Sequence, residues 1–235
     1  SNRKSKRAIP SGVARFSFSS CGRIITDMKL AFFGDVVGKP GRQAVCDHLP
    51  GVRQTLELDF VVVNAENAAG GFGLTEKIAN EFFDAGADCL TLGDHAWDQR
   101  EALTYIEREP RLLRPLNYPE AANAPGKGAH LFVLPDGRRV GVIQAQGIVF
   151  MKQLLDNPFG AVDSALDEMP MGVVADAVIV DMHCEATSEK MAMGHHCDGR
   201  ASVVVGSHTH VPTADHIILA GGTAYQSDAG MCGDY

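Results

Sequence analysis

Short apolar runs rich in Val, Ile, Leu and Phe alternate along the chain with polar turns and amphipathic stretches. A run of four to eight such residues that ends at a glycine or a polar residue is typical of a buried strand. Between two of these runs, residues 75–86 carry apolar side chains at helical spacing, with Thr75 as the expected N-cap and Gly86 as the expected stop. The first three predicted strands cover residues 28–34, 59–67 and 88–95.

The second half of the chain has a different pattern. A helix is still predicted over residues 98–108, where Asp98 and Glu101 are spaced as a capping box. Residues 111–128, rich in Pro, Asn and Gly, are expected to form a surface loop, and an Asp-Gly pair indicates a hairpin within residues 129–146. Parallel units followed by antiparallel strands predict an α/β fold with two packed, mixed β-sheets flanked by helices. Later strands are expected at residues 175–183, 201–207, 216–220 and 223–228.

The first 27 residues do not share this pattern. They carry six basic residues against the single acid Asp27 and show no clear period. Three interpretations of this basic extension are open: a disordered tail, a transit-peptide-like leader, or sequence upstream of a true start at Met28. We favour upstream sequence, because a predicted strand begins at Met28, and we expect a single domain over residues 28–235.

Composition narrows the class of protein. The 235 residues are 45% hydrophobic and 21% charged, as in ordinary soluble globular proteins, and no apolar run reaches the roughly 20 residues of a membrane span. The six cysteines are scattered without a C-x-x-C pair, which favours reduced thiols and a cytoplasmic location. The net charge is −8 although the first segment is basic, so the rest of the chain is acidic. An acidic surface argues against broad nucleic-acid binding and is compatible with carboxylates gathered around metal ions.

Side chains that can bind metal stand at the carboxyl ends of several predicted strands, where ligand sites form in layered α/β folds. Each has an ordinary structural explanation when taken alone, such as a helix cap for an aspartate or a core position for a histidine. Their repetition at five strand ends favours one shared site. The residues are Asp35, Glu66 with Asn67, Asp94 with His95, His183, and His208 with His210.

The pair His208 and His210 is the hardest to explain structurally, because H-x-H in extended backbone directs both rings to one side. Imidazole nitrogen with carboxylate oxygen is a ligand set for zinc, manganese or iron. So many candidates exceed one tetrahedral ion but suit two ions that share a carboxylate. Two ions about 3.5–4 Å apart can clamp a phosphoryl group and activate a water. We therefore expect a dinuclear site in which the two histidines serve different ions.

The motifs around these residues are specific. They read GDVVG at 34–38, NAEN at 64–67, GDHAWD at 93–98, DMHCEAT at 181–187 and GSHTH at 206–210. Together they resemble the calcineurin-like metallophosphoesterase superfamily, and longer stretches such as VVVNAENAAGGFGLT resemble its YmdB-like branch. The resemblance implies a four-layer α/β/β/α metallophosphoesterase sandwich. It also implies further strands after Tyr235, so we expect the chain to lack the last C-terminal strands of the family.

The resemblance also implies a role for each site residue. A first ion would be held by Asp35, Asn67 and His210, a second by Asp94, His183 and His208, and both by Glu66. His95 would not be a ligand but the general acid that protonates the leaving oxygen. We expect two divalent ions, iron or manganese first, with magnesium or zinc as alternatives.

Two positions depart from the superfamily pattern. Val37 stands where the D-x-H motif has its histidine, and Asn67 is the expected substitute, which makes the first site richer in oxygen. Asp94 stands where the G-N-H motif has asparagine. Aspartate can still bind a cation, but its charge can repel an anionic substrate.

The leading hypothesis from the resemblance is a phosphodiesterase that hydrolyses 2′,3′-cyclic nucleotides or related small phosphoesters by in-line attack of a hydroxide held between the ions. Two alternatives stay open: an RNA-processing or RNA-regulatory metallohydrolase, and a nucleotide- or metal-sensing module with little turnover. The acidic composition makes RNA the less favoured partner, no membrane partner is expected, and a homo-oligomer is open. Residues 187–190 are a candidate lid over the site.

Overall fold

The computed structural model describes residues 13–18 and 28–234. The strands of this part of the chain are β1 (Val13–Phe18), β2 (Met28–Phe33), β3 (Phe60–Asn64), β4 (Cys89–Thr91), β5 (Leu112–Leu113), β6 (Ala129–Val133), β7 (Arg139–Gln146), β8 (Ala177–His183), β9 (Val203–Ser207), β10 (Ile217–Ile218) and β11 (Ala224–Gln226). Its α-helices are α1 (Gly38–Leu56), α2 (Glu76–Asp84), α3 (Ala102–Tyr105), α4 (Pro158–Glu168) and α5 (Thr187–His196).

The strands form two mixed sheets, as the sequence predicted. The first has the order β1-β2-β3-β4-β5, with β2 to β5 parallel and β1 antiparallel to β2. The second has the order β10-β11-β9-β8-β7-β6, with β7, β8, β9 and β11 parallel and a strand antiparallel to them at each edge. The parallel strands of each sheet therefore bring their carboxyl ends to one edge, where the site lies.

Alternating side chains produce the four layers. On β2, Leu30 and Phe32 face the second sheet, whereas Ala31 and Phe33 face the helices. The apolar cluster between the sheets draws on β2, β3, β7, β8 and β9. A second cluster lies between the first sheet and helices α1 and α2, and a third lies between the second sheet and helices α4 and α5. The arrangement α/β/β/α follows directly, because each sheet buries both of its faces.

Phe60 illustrates how much the packing between the sheets contributes to the stability of the fold. Its buried ring lies between the sheets, with its centroid 5.0 Å from that of Phe132. We expect Phe60→Ala to lower the free energy of unfolding by about 3–5 kcal/mol, because it removes apolar area and leaves a cavity. Val133→Ala, on an exposed position of β6, is the control and is expected to change the free energy by less than about 0.5 kcal/mol. Urea denaturation of both variants measures the difference, and equal values would contradict this packing.

Some sequence predictions require correction. The helix expected over residues 98–108 is α-helical only over the four residues of α3, and its capping box does not form. Asp98 instead contacts the His95 ring, and Glu101 accepts a bond from the backbone of Glu76. The expected loop at residues 111–128 contributes β5 to the first sheet. Thr75, in contrast, caps α2 as expected, because its hydroxyl accepts the backbone N–H of Ile78.

The basic extension is described in part. Residues 13–18 form β1, and the remaining positions of the segment 1–27 lie outside the described residues, so the interpretation of this segment stays a prediction. Within the described ranges, none of the helices combines the length and the apolar character needed to cross a membrane. The described cysteines, Cys46, Cys89, Cys184, Cys197 and Cys232, are free thiols.

Candidate metal centre

Four of the predicted ligands converge at the carboxyl edge of the two sheets. The ligand atoms of Glu66, Asp94, His183 and His208 all lie within 4.8 Å of one another. The Nε2 atom of His183 is central: it lies 3.2 Å from Glu66 Oε1, 3.0 Å from Asp94 Oδ1 and 3.2 Å from His208 Nδ1. These residues follow β3, β4 and β9 or end β8, so the topology rather than sequence proximity brings them together.

The other three predicted ligands form a second group, which joins the first at Glu66. The Asn67 amide nitrogen lies 3.0 Å from Glu66 Oε1 and 3.2 Å from His210 Nε2. His210 Nε2 is also 3.9 Å from Asp35 Oδ1. The structure thus brings all seven predicted ligands to one place. A cation bound by Asn67 needs the amide oxygen, so ligation there requires the amide to turn over.

The backbone around the two histidines differs from the prediction. We expected His208 and His210 in extended chain, but β9 ends at Ser207, and both histidines have left-handed backbone with φ of 98° and 66°. Their rings contact separate partner sets. His208 Nδ1 lies 3.2 Å from Asp94 Oδ1, whereas His210 faces the second group.

Residues 187–190 do not form a lid, because they begin α5, where Glu189 and Lys190 are buried. Lys190 Nζ donates to Asp228 Oδ2 over 2.6 Å, and the same carboxylate accepts the backbone N–H and hydroxyl of Thr209. Glu189 accepts the backbone N–H groups of residues 148 and 149. These buried side chains therefore fix neighbouring segments of the chain and do not cover the site. The Lys190–Asp228 pair, in particular, holds the strained turn between the two histidines.

Electrostatics favour a cation here. Burial raises the pKa of Asp35 to about 6. Burial also opposes ionisation of Glu66 and Asp94, yet His183 lowers the pKa of both carboxyls below the usual value. Although burial opposes the charged form of His183, Glu66 and Asp94 raise its pKa well above the usual value. The carboxylates therefore draw positive charge to the centre of the group.

The donor set and the space both fit a divalent cation. Carboxylate oxygens and imidazole nitrogens suit iron, manganese or zinc. Asp35 Oδ1 is buried and has no hydrogen-bond partner among the described residues, as expected of an oxygen kept for a cation. A Cβ at Gly93 would lie 2.2 Å from Glu66 Oε2 and 2.3 Å from His183 Nε2, so only glycine lets these ligands converge.

His95 lies beside the ligands with a partly exposed side chain. Its Nδ1 is 2.7 Å from Asp98 Oδ2, and its Nε2 is 3.8 Å from Asp94 Oδ2. Its backbone N–H donates to Glu66 Oε2 over 3.2 Å. The ring is thus oriented by a carboxylate at one nitrogen and directs the other toward the site, while its role as general acid stays a prediction.

Sequence reasoning missed four supporting residues. Asp98 orients His95, and Glu185 Oε2 lies 3.3 Å from His208 Nε2. Beneath His183, Ser207 and Asp181 form a buried hydrogen-bonded pair. All four stand inside the motifs GDHAWD, DMHCEAT and GSHTH, and the signal that could have found them is a carboxylate or hydroxyl at a short offset from a ligand or catalytic histidine.

The four-layer fold, with candidate metal ligands at the carboxyl ends of its strands, is that of the metallophosphoesterases. A family model described as YmdB-like protein matches residues 31–235. The chain therefore belongs to the YmdB-like family.

Individual relatives and solved structures are consistent with this family. A protein of Bacillus subtilis (strain 168) named 2′,3′-cyclic-nucleotide 2′-phosphodiesterase is 46% identical over 208 residues, which cover 88% of this chain and 76% of the relative. A solved structure of a hypothetical protein from Thermus thermophilus is 45% identical, with a TM-score of 0.81 over 88% of this chain and 78% of that one. A novel phosphatase from Mycoplasma pneumoniae is 34% identical, with a TM-score of 0.79 over 87% and 72% of the two chains.

Proposed function

We propose that this protein is a phosphodiesterase that uses two divalent cations to hydrolyse 2′,3′-cyclic nucleotides or related small phosphoesters. The observation that carries the proposal is the convergence of Glu66, Asp94, His183 and His208 within 4.8 Å, beside a second group that contains Asp35 and shares Glu66. The 46% identity to the Bacillus subtilis phosphodiesterase supports the substrate class.

Each group of side chains has a distinct task in this proposal. The second group holds one cation and the four-residue cluster holds the other, with Glu66 common to both. Bound cations supply a water of lowered pKa and offset charge on the phosphoryl oxygens. His95, oriented by Asp98 at 2.7 Å, donates a proton from Nε2 to the departing oxygen. The relative's name specifies the 2′ ester bond, so this oxygen is O2′ of the ribose.

Iron and manganese are the cations that we propose first. Asp35 and Asn67 make the second group rich in oxygen donors, whereas a zinc site usually has more nitrogen or sulfur. We propose two ions because the two groups of candidate ligands share one carboxylate. Metal analysis of purified protein tests both points, since two equivalents of iron or manganese are expected and one equivalent or none contradicts the dinuclear site.

Hydrolysis assays test the activity itself. Protein stripped by a chelator and reloaded with Mn²⁺ is expected to convert 2′,3′-cAMP to 3′-AMP, and the stripped protein is expected to be inactive. A short single-stranded RNA is the comparison substrate. Cleavage of RNA in preference to 2′,3′-cAMP would replace the proposal with an RNA-processing enzyme. Tight nucleotide binding without turnover would replace it with a sensing module.

Asp94→Asn tests whether the extra carboxylate charge limits the rate. The amide oxygen can still bind a cation, and the variant removes one negative charge close to an anionic substrate. We therefore expect metal content to be retained and kcat/KM to stay the same or rise, measured by steady-state hydrolysis of 2′,3′-cAMP. Complete loss of metal would show that the charge of Asp94 is essential for binding.

A cytoplasmic location is part of the same proposal, because the buried and half-buried thiols Cys46, Cys89, Cys184, Cys197 and Cys232 are unpaired. A homo-oligomeric state remains a prediction. Gel filtration with light scattering measures it, and a mass of one chain would contradict it.

A further inference from the structure

A buried polar chain extends from His183 into the layer beneath the site. His183 Nδ1 lies 2.9 Å from Ser207 Oγ, and Ser207 Oγ lies 2.6 Å from Asp181 Oδ1. The other carboxylate oxygen of Asp181 accepts the Thr91 hydroxyl at 2.7 Å. Asp181, Ser207 and His183 are fully buried. We infer that Asp181 acts through Ser207 as a positioning residue, fixing His183 so that Nε2 is its cation-binding atom.

The protons available in this chain determine which atom of each residue donates. A serine hydroxyl has one proton, and the carboxylate of Asp181 can only accept it. Ser207 therefore donates to Asp181 and has only lone pairs left for His183, so Nδ1 of His183 must carry a proton and donate it. When a cation replaces the proton at Nε2, the lone pair of that atom is free to bind it, and Nε2 is the atom that faces Glu66 and Asp94 at 3.2 and 3.0 Å. Partners of this kind fix the tautomer of a ligand histidine and increase its basicity.

Ser207→Ala is the direct test, and it rests on the proposed metal site. We expect the Mn²⁺ affinity of the cation held by His183 to fall about 10- to 100-fold, measured by competition with a chelating dye. Ser207→Cys, which keeps the shape of the side chain but forms weak hydrogen bonds, is expected to lose affinity in the same direction. Ser202→Ala is the matched control, because it removes a buried serine hydroxyl that accepts the backbone N–H of Val178 and is not part of the chain to His183.

The possible results distinguish a failure of this positioning role from a failure of the proposed metal site. Thermal unfolding of the metal-free variants establishes that they fold, and whichever of the two Ser207 variants folds is then titrated. Wild-type affinity in a folded Ser207 variant would overturn the inference, as would an equal loss in Ser202→Ala. Wild-type protein that binds no Mn²⁺ would instead overturn the proposed metal site.

Phe72 offers a second and independent observation. Its ring is 59% exposed although it is large and apolar, and its centroid lies 5.2 Å from that of the His95 ring. The loop that carries it is fixed: the Gly71 N–H donates to the Asn67 carbonyl, and the Gln99 side chain donates to the Phe72 carbonyl at 2.8 Å. An exposed aromatic ring is therefore held in place beside the proposed general acid.

The chemistry of the substrate assigns this ring a partner. If His95 protonates O2′, it faces an oxygen on C2′, and the base is attached to the adjacent carbon, C1′. The base therefore lies on the side of the ribose nearest His95, within reach of the neighbouring ring. The geometry points to Phe72 as a specificity-determining residue that stacks on the nucleobase of the proposed substrate.

Kinetics of Phe72→Ala test this assignment, which rests on the proposed function. For 2′,3′-cAMP we expect KM to rise about 5- to 100-fold with little change in kcat, because stacking on a base is lost. Glycerol 1,2-cyclic phosphate has the cyclic ester but no base, so its kcat/KM is expected to be unchanged. Phe72→Trp, which keeps an aromatic face, is expected to restore the low KM.

The kinetic results distinguish base stacking by Phe72 from the proposed function. An unchanged KM for 2′,3′-cAMP in Phe72→Ala would overturn base stacking while leaving the proposed function intact. An equal loss on the substrate without a base would also overturn it, because the effect would then act through His95. Wild-type protein that does not hydrolyse 2′,3′-cAMP would overturn the proposed function itself.

Discussion

Glu66→Gln is expected to abolish nearly all hydrolysis of 2′,3′-cAMP and to reduce metal content. Oε1 of Glu66 contacts side chains of both groups, because it lies 3.2 Å from His183 Nε2 and 3.0 Å from the Asn67 amide nitrogen. Cations contribute several kcal/mol to stabilising charge in the transition state, so we expect kcat/KM to fall about 10³-fold or more. The measurement is steady-state kinetics beside metal analysis of the same preparation.

A glutamate away from the site is the matched control. Glu109 also forms a close pair, with Arg111, but it precedes β5 and so lies at the edge of the first sheet opposite the carboxyl ends of the strands. Glu109→Gln is expected to keep near wild-type kinetics and metal content. If Glu66→Gln kept both ions and most of its activity, Glu66 would not be the shared ligand.

His95→Ala is expected to keep the metal and lose the chemistry. The His95 ring lies outside the four-residue cluster, with its Nε2 3.8 Å from the nearest Asp94 carboxylate oxygen. Removing a general acid lowers kcat by about 10²–10⁴-fold, and we expect a value in that range. A substrate with a good leaving group, such as a p-nitrophenyl ester, needs less proton donation and is expected to lose less activity.

The control for this variant is His48→Ala, at an exposed position on α1. It is expected to change neither activity nor metal content. Loss of metal together with activity in His95→Ala would mean that His95 is a ligand, and the assignment of roles at this edge of the sheet would need to be reversed.

The sequence was informative where one property decided the structure. Buried parallel strands such as β3 are continuous apolar runs, and the polar residues that follow them cannot lie in the core without partners, so both the strands and the ligand candidates were predictable. The two-sheet architecture followed from the order of parallel and antiparallel units.

The sequence was uninformative where contacts between distant segments decided the local structure. Asp98 has the spacing of a capping residue, but the His95 ring competes for its carboxylate, and α3 is accordingly short. The left-handed backbone at His208 and His210 depends on Asp228, which lies in a distant segment and holds the turn between them. Glu189 and Lys190 look like exposed charges in sequence, and only their burial and their hydrogen bonds in the fold show that they are structural.

The most direct test of the account is a crystal structure of the Mn²⁺-loaded protein with an anomalous difference map. The account predicts two peaks about 3.5–4 Å apart, one beside Asp35 and His210 and the other beside His183 and His208, with Glu66 between them. A single peak, or peaks that leave Glu66 without a bound ion, would contradict the dinuclear centre.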